Sequence, residues 1–185
     1  MSVLLATVSD PLVLGTLALA LAGILGSAAA PKWRDREGFG YALENYELLP
    51  AALIPAAALA IPCAETFTAL GLLAPATRPY AAGAAAALFL VFSLGIAVNL
   101  ARGRDAIDCG CGGAGGDQPI SWWLVARNLV LVALALVLVR EPAARAFVWL
   151  DYISLVGGTA ACVGCYALAN QLLANAPRLE RLRNH

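Results

Sequence analysis

Residues 11–30, PLVLGTLALALAGILGSAAA, carry no charged side chain. A helix rises about 1.5 Å per residue and the hydrocarbon core of a bilayer is about 30 Å thick, so this run has the length of a transmembrane helix. Ser9 or Asp10 caps it, and Pro11 takes the first helical position, where a missing N–H is no loss. It is too long for a signal peptide and lacks the basic leader and cleavage site of one. Working outward, the same criterion gives spans over 48–73, 79–100, 120–139 and 146–173. The second contains Pro50, Pro55 and Pro62, which predict a kink.

Composition leads to the same class. Of 185 residues, 61% are hydrophobic and 13% charged, with a mean hydropathy of +0.78, whereas a soluble domain is about 25% charged. Twelve basic and twelve acidic side chains balance, which leaves no basic field for nucleic acid. No polar stretch is long enough for a second core, so residues 1–185 form a single integral membrane domain. The expected fold is an all-α polytopic bundle: a four-helix core, a fifth C-terminal transmembrane helix and a short interfacial amphipathic helix. That last element lies in PKWRDREGFGYALENYELL (residues 31–49), where Phe39, Leu43 and Tyr46 recur at helical spacing against Arg36, Glu37, Glu44 and Glu47. A solvated loop is the alternative.

Lysine and arginine near the span ends set an expected orientation. One side holds Lys32, Arg34, Arg36, Arg102, Arg104, Arg178, Arg181 and Arg183, the other Arg78, Arg140 and Arg145. The positive-inside rule places the amino terminus outside and the loop after the third span in the cytoplasm.

That loop contains DCGCGGAGGD (residues 108–117). Glycines around Cys109 and Cys111 let the two α-carbons approach within the roughly 4.4–6.8 Å of a disulfide, and so small a ring is strained and exchangeable. An ordinary flexible turn with incidental thiols is the alternative. Cys162 and Cys165 form CVGC on one face of the fifth span, either a redox pair or, beside Gly157, Gly158 and Gly164, a helix packing seam. Together the four thiols also match a zinc site in number, provided the loop folds back to mid-span. Cys63 reads as buried structural sulfur or as a further redox residue. Glu65 and Arg127 lie inside apolar runs, where a charge costs at least about 2.5–3.5 kcal/mol, so they are expected to pair across the second and fourth spans, with Asn99 and Asn128 completing the hydrogen bonds. The pair serves either helix register or proton movement.

YELLP (residues 46–50), PCAE (62–65), NLARGRDAIDCGC (99–111) and ISWWLVARNL (120–129) together resemble the MauE family of methylamine utilisation proteins, in the DoxX-like membrane group. The resemblance covers about Pro11 to Val139. It implies a multi-pass protein of the bacterial plasma membrane that matures the disulfide-rich small (beta) subunit of periplasmic methylamine dehydrogenase beside a thioredoxin-like partner, membrane-anchored or periplasmic. It maps the family's cysteines onto Cys109 and Cys111, and its acidic and basic span residues onto Glu65 and Arg127. The fifth span and its CVGC lie outside it.

Two functions follow. In one, Cys109 and Cys111 exchange with a partner while buried Cys63, Cys162 and Cys165 relay electrons; in the other, the chain is a non-catalytic scaffold or transport factor holding partner and client at the membrane. The first meets a conflict of sides, since the charge count puts the loop in the cytoplasm and the client in the periplasm: either the orientation is inverted or the buried cysteines carry electrons across. No haem or flavin fingerprint is present and the single histidine is the terminal His185, so neither a resident cofactor nor a histidine-ligated metal is expected, with a quinone between helices as the alternative. Trp122 and Trp123 read as interfacial belt residues.

Overall fold

The computed structural model describes residues 9–107, 119–140 and 142–183. Among these, six helices and no strand are formed: α1 (Pro11–Arg34), α2 (Arg36–Tyr46), α3 (Ile54–Leu73, led by a 3₁₀ turn at Ala51–Leu53), α4 (Arg78–Ala101), α5 (Trp122–Val137) and α6 (Trp149–Arg183). Four of them are long and apolar enough to cross a membrane. α5 has 16 residues, about 24 Å of helix. Leu138, Val139 and Arg140 extend it by donating to the carbonyls three residues back, a tighter coil that adds about 2 Å per residue and brings the segment to the needed thickness.

The helices start where their chemistry dictates. Asp10 Oδ1 accepts from Leu12 N–H at 2.8 Å and Pro11 follows it. At α6, Asp151 Oδ2 accepts from Val148 N–H at 2.8 Å, which satisfies an orphan donor of the first turn and sets the start at Trp149. α1 continues through Pro31, beyond the expected end at Ala30. Pro31 removes one donor, but Lys32 and Trp33 then find partners on α3, and those contacts outweigh the lost bond. In α3, Pro50 and Pro55 sit at the start, where no helical bond is lost, and only Pro62 is interior.

α1, α3, α4 and α5 enclose the core, built from Leu14, Leu21, Leu25, Leu72, Phe89 and Leu131 with many alanines. Small residues let backbones approach closely, the main source of helix association where lipid is as apolar as leucine. α6 packs on α1 from outside, its Gly158 so near Thr16 that an added Cβ would lie 3.1 Å from Thr16 Cγ2. The expected four-helix core with a fifth peripheral helix is present. α2 is a helix, not a loop; it folds back over α3 with Phe39, Leu43 and Tyr46 half-buried and its charged side exposed.

At the end holding the α1 start, Arg145 grips Asp151 with two bonds of 2.9 and 3.0 Å and reaches Asp10 at 3.2 Å, while Ala143 N–H donates to Ser9 C=O at 2.8 Å. The Leu12 N–H and the Arg145 guanidinium hold the Asp10 carboxyl below its usual value near 3.8. A depressed folded pKa stabilises at pH above the unfolded value and is lost as pH falls through the folded one. The melting temperature in detergent should therefore fall as pH drops below about 4, and Asp10→Asn should flatten that limb; identical acid limbs for the two proteins would contradict the latch.

Candidate functional site

Glu65 is fully buried in α3, and its partner is Lys32 of α1, not Arg127. Lys32 Nζ donates to Glu65 Oε1, with Lys32 5% and Glu65 0% exposed. The Nζ also lies 5.3 Å from the ring centre of Phe39 on α2 and 5.2 Å from that of Phe92 on α4, distances at which a ring face attracts a cation. One residue further along each helix the contact repeats: Trp33 Nε1–H donates to Thr66 Oγ1 at 3.0 Å, and Thr66 Oγ1–H to Pro62 C=O at 2.7 Å. Glu65 Oε2 and Ser93 Oγ have no hydrogen-bond partner among the described residues. Four helices thus meet at one neutralised charge pair, beside a cavity of about 270 Å³ lined by α2, α4 and Ile61 of α3.

The end of α4 forms a second polar site. Gly103, at φ +73°, adopts the left-handed turn that a residue without Cβ makes at little strain. Arg104 is thereby turned back onto α2, donating to Asn45 C=O at 2.9 Å and bridging Glu47 at 2.9 Å. Asn99 is buried and serves this site, donating to Gly95 C=O at 3.1 Å while its Oδ1 lies 3.5 Å from Arg104 Nη1. Beyond it, Ile120 N–H donates to Ile107 C=O at 3.1 Å, and Ile96, Ile120 and Leu124 pack with Tyr46, Leu100 and Ile107. Both flanks of the glycine-rich loop are fixed here. Cys109 and Cys111, with the loop glycines, lie outside the described residues, as does His185.

Arg127 has a different set of partners from the expected one. Its guanidinium donates to Asn128 Oδ1 at 3.0 Å and to Asn170 Oδ1 of α6, and lies 5.5 Å from the Tyr166 ring centre. It therefore ties the peripheral α6 to α5, and the charge sits one to two turns from the exposed Trp122 and Trp123 at the helix start. The other cysteines do not assemble a buried relay. Cys162 and Cys165 are exposed on α6, whose seam to α1 uses Leu155, Gly158 and Val163 instead; Cys63 is half-buried in α3, and all three are free thiols.

The signal missed in the sequence is Lys32. It stands directly after a 20-residue apolar run and reads as the first charge of a polar segment, yet a helix that crosses Pro31 keeps it on the face of Leu21, Leu25 and Ala29, which is buried.

Residues 10–141 match the family model described as "Methylamine utilisation protein MauE". The chain is 46% identical over 127 residues to the methylamine utilization protein MauE of Paracoccus denitrificans, covering 69% of this chain and 68% of that one. The protein of the same name from Methylorubrum extorquens is 42% identical over 148 residues, covering 78% and 80%, and that of Paracoccus versutus 46% identical over 137 residues, 74% of each. No solved structure matches. The family match takes in Lys32, Glu65, the cysteine loop and Arg127, and ends before α6.

Removing Lys32 alone leaves a buried carboxylate uncompensated. Lys32→Met should lower the unfolding free energy in mixed micelles by about 3–5 kcal/mol, and Glu65→Leu added to it should recover most of that loss. Glu65→Gln and Arg127→Gln, with no shared partner, should add to within about 0.5 kcal/mol; a larger coupling would reinstate a contact between them.

Proposed function

The chain belongs to the MauE family of methylamine utilisation proteins, and we propose that its part in that system is thiol–disulfide exchange through Cys109 and Cys111 with a thioredoxin-like partner, for the maturation of the methylamine dehydrogenase small subunit. As a family member it is a multi-pass bacterial membrane protein acting in methylamine utilisation. The observation that carries the finer reading is the anchoring of both loop flanks, by the Ile107–Ile120 bond and the Arg104 clamp, at one end of a rigid bundle. A reactive pair on a short tether from a fixed rim meets a docking protein in a defined place.

A thiolate of the partner attacks one sulfur of a Cys109–Cys111 disulfide, the S–S bond breaks, and the released thiolate takes a proton while a mixed disulfide joins the two proteins. The partner's second thiolate then attacks that mixed disulfide and frees the loop. Two electrons and two protons have passed from the partner's dithiol to the loop, and the partner's new disulfide can oxidise thiols of the small subunit.

On this reading the loop and its partner share a side, which the exposure of Cys162 and Cys165 and the absence of a pair among the described cysteines support. We therefore place the loop in the periplasm. The lysine and arginine count favours the opposite side, and discounting the ion-paired Lys32, Arg104 and Arg145 does not remove that bias.

In a host dependent on this gene, Cys109→Ser and Cys111→Ser should each abolish growth on methylamine, and one of them should trap a mixed disulfide with the partner. Cys162→Ser with Cys165→Ser should grow as the parent does. After reduction, a membrane-impermeant maleimide added to intact spheroplasts should label Cys109 and Cys111. Parental growth of the double loop variant would leave the scaffold function in its place, and labelling only in inverted vesicles would reverse the orientation.

A further inference from the structure

Lys32 has more hydrogen-bonding capacity than Glu65 uses. An ammonium carries three N–H donors; Glu65 Oε1 accepts one, and Phe39 and Phe92 flank the nitrogen. That nitrogen belongs to a residue lining the cavity of about 270 Å³, whose other walls include Leu43, Ile61, Leu88 and Val91. The volume lies just under the roughly 300–1,000 Å³ of ordinary small-molecule pockets, which suits one ring-sized headgroup and excludes a whole lipid. Leu49 and Val91 are exposed, so the cavity opens on the surface that faces lipid. Tyr46 and Ile96 line it as well, and both also pack in the cluster with Ile107 and Ile120 that roots the cysteine loop. Cavity and loop root therefore share walls.

We propose that this cavity binds the headgroup of a lipid-soluble quinone, a carbonyl oxygen accepting from Lys32 Nζ and the ring lying against Phe39 or Phe92. The charge state selects the ligand class. Glu65 already neutralises Lys32, so a second anion such as a carboxylate or phosphate would leave net negative charge in an apolar site, whereas a neutral carbonyl needs only a spare donor. Aromatic walls suit a flat ring, and an opening toward lipid admits an apolar tail. On the exchange reading of the preceding subsection, on which this consequence rests, the quinone supplies the oxidant. The Cys109 and Cys111 thiols lose two protons and two electrons and join as a disulfide, and the quinone leaves as quinol.

The full chain in nanodiscs is illuminated with a photoreactive azidoquinone bearing a decyl tail, with decylubiquinone as competitor, and labelled peptides are identified by mass spectrometry. Saturable labelling should fall on α2 and α4 around the cavity and be displaced by decylubiquinone. Gly95→Leu projects a side chain toward Tyr46 and Leu48, whose nearest atoms lie 3.8 and 3.6 Å from an added Cβ, and leaves the Lys32–Glu65 pair intact. It should weaken binding about tenfold, the equivalent of one lost hydrogen bond with its packing, while helical circular dichroism stays unchanged. Should Gly95→Leu disturb α4, Val91→Trp on the exposed wall should give the same loss. Labelling that does not saturate, that maps away from the cavity, or that oleate displaces better than decylubiquinone would overturn the proposal. Protein with both loop cysteines changed to serine should bind quinone as the parent does. A parent that exchanges thiols with its partner but binds no quinone would sink this site alone; one that binds quinone while its loop thiols stay inert would sink the exchange reading and leave the site standing.

Discussion

A buried charge in an apolar bundle needs an opposite charge within reach, and the Lys32–Glu65 pair is how this chain meets that constraint. The carboxylate is wholly enclosed by protein, so the geometry around it has little freedom. α1 must run on through Pro31 to deliver the ammonium, α3 must place Glu65 three residues after Pro62, and α2 and α4 must bring Phe39 and Phe92 to the nitrogen. The neighbouring bond from Trp33 to Thr66 prevents the two helices from sliding past each other. A hydrophobic replacement of both groups would cost little in stability, so what the pair adds is register: only one alignment of α1 on α3 satisfies it.

From that point order passes to the end of the bundle. α2 is held at its start by Asp35, whose carboxylate accepts from Gly38 N–H at 2.8 Å, and in its middle by the contact of Phe39 with Lys32. At its far end Arg104 takes hold of Asn45 and Glu47. The loop flanks pack against the same end through Ile107 and Ile120. The two flanks of the cysteine loop thus pack at the end of the bundle whose α2 wall also contacts the buried charge pair. The opposite end is tied separately by Arg145, which joins the starts of α1 and α6.

Much of this architecture is legible in the amino-acid sequence because length and hydropathy alone decide which segments span lipid. Each expected span contains a helix, although α3 starts at Ile54, six residues after the expected start, and α6 runs to Arg183, ten past the expected end, and the segment around Phe39, Leu43 and Tyr46 is helical as its periodicity predicts. The pairing of charges is not legible in the same way. Hydropathy identifies Glu65 and Arg127 as costly, but it contains no distances, and the other charge inside an apolar run reads as the natural partner. Lys32 was hidden by Pro31, which reads as a helix end unless contacts on a neighbouring helix sustain the helix beyond it. Arg127 finds its partners on α6, in Tyr166 and Asn170, residues that hydropathy does not mark. The CVGC spacing is compatible with a pair, yet spacing does not show which residues a neighbouring helix covers, and Cys162 and Cys165 are exposed on α6.

The measurement that bears most directly on this account is the maleimide labelling rate of Cys109 and Cys111 after reduction in native membranes, compared among the parent, Lys32→Glu, and Lys32→Glu combined with Glu65→Lys. Two like charges should break the register of α1 on α3 and change the rate severalfold, and the exchanged pair should return it toward the parental value. Equal rates in all three proteins would show that the loop is positioned without the buried pair, and the central claim would fall.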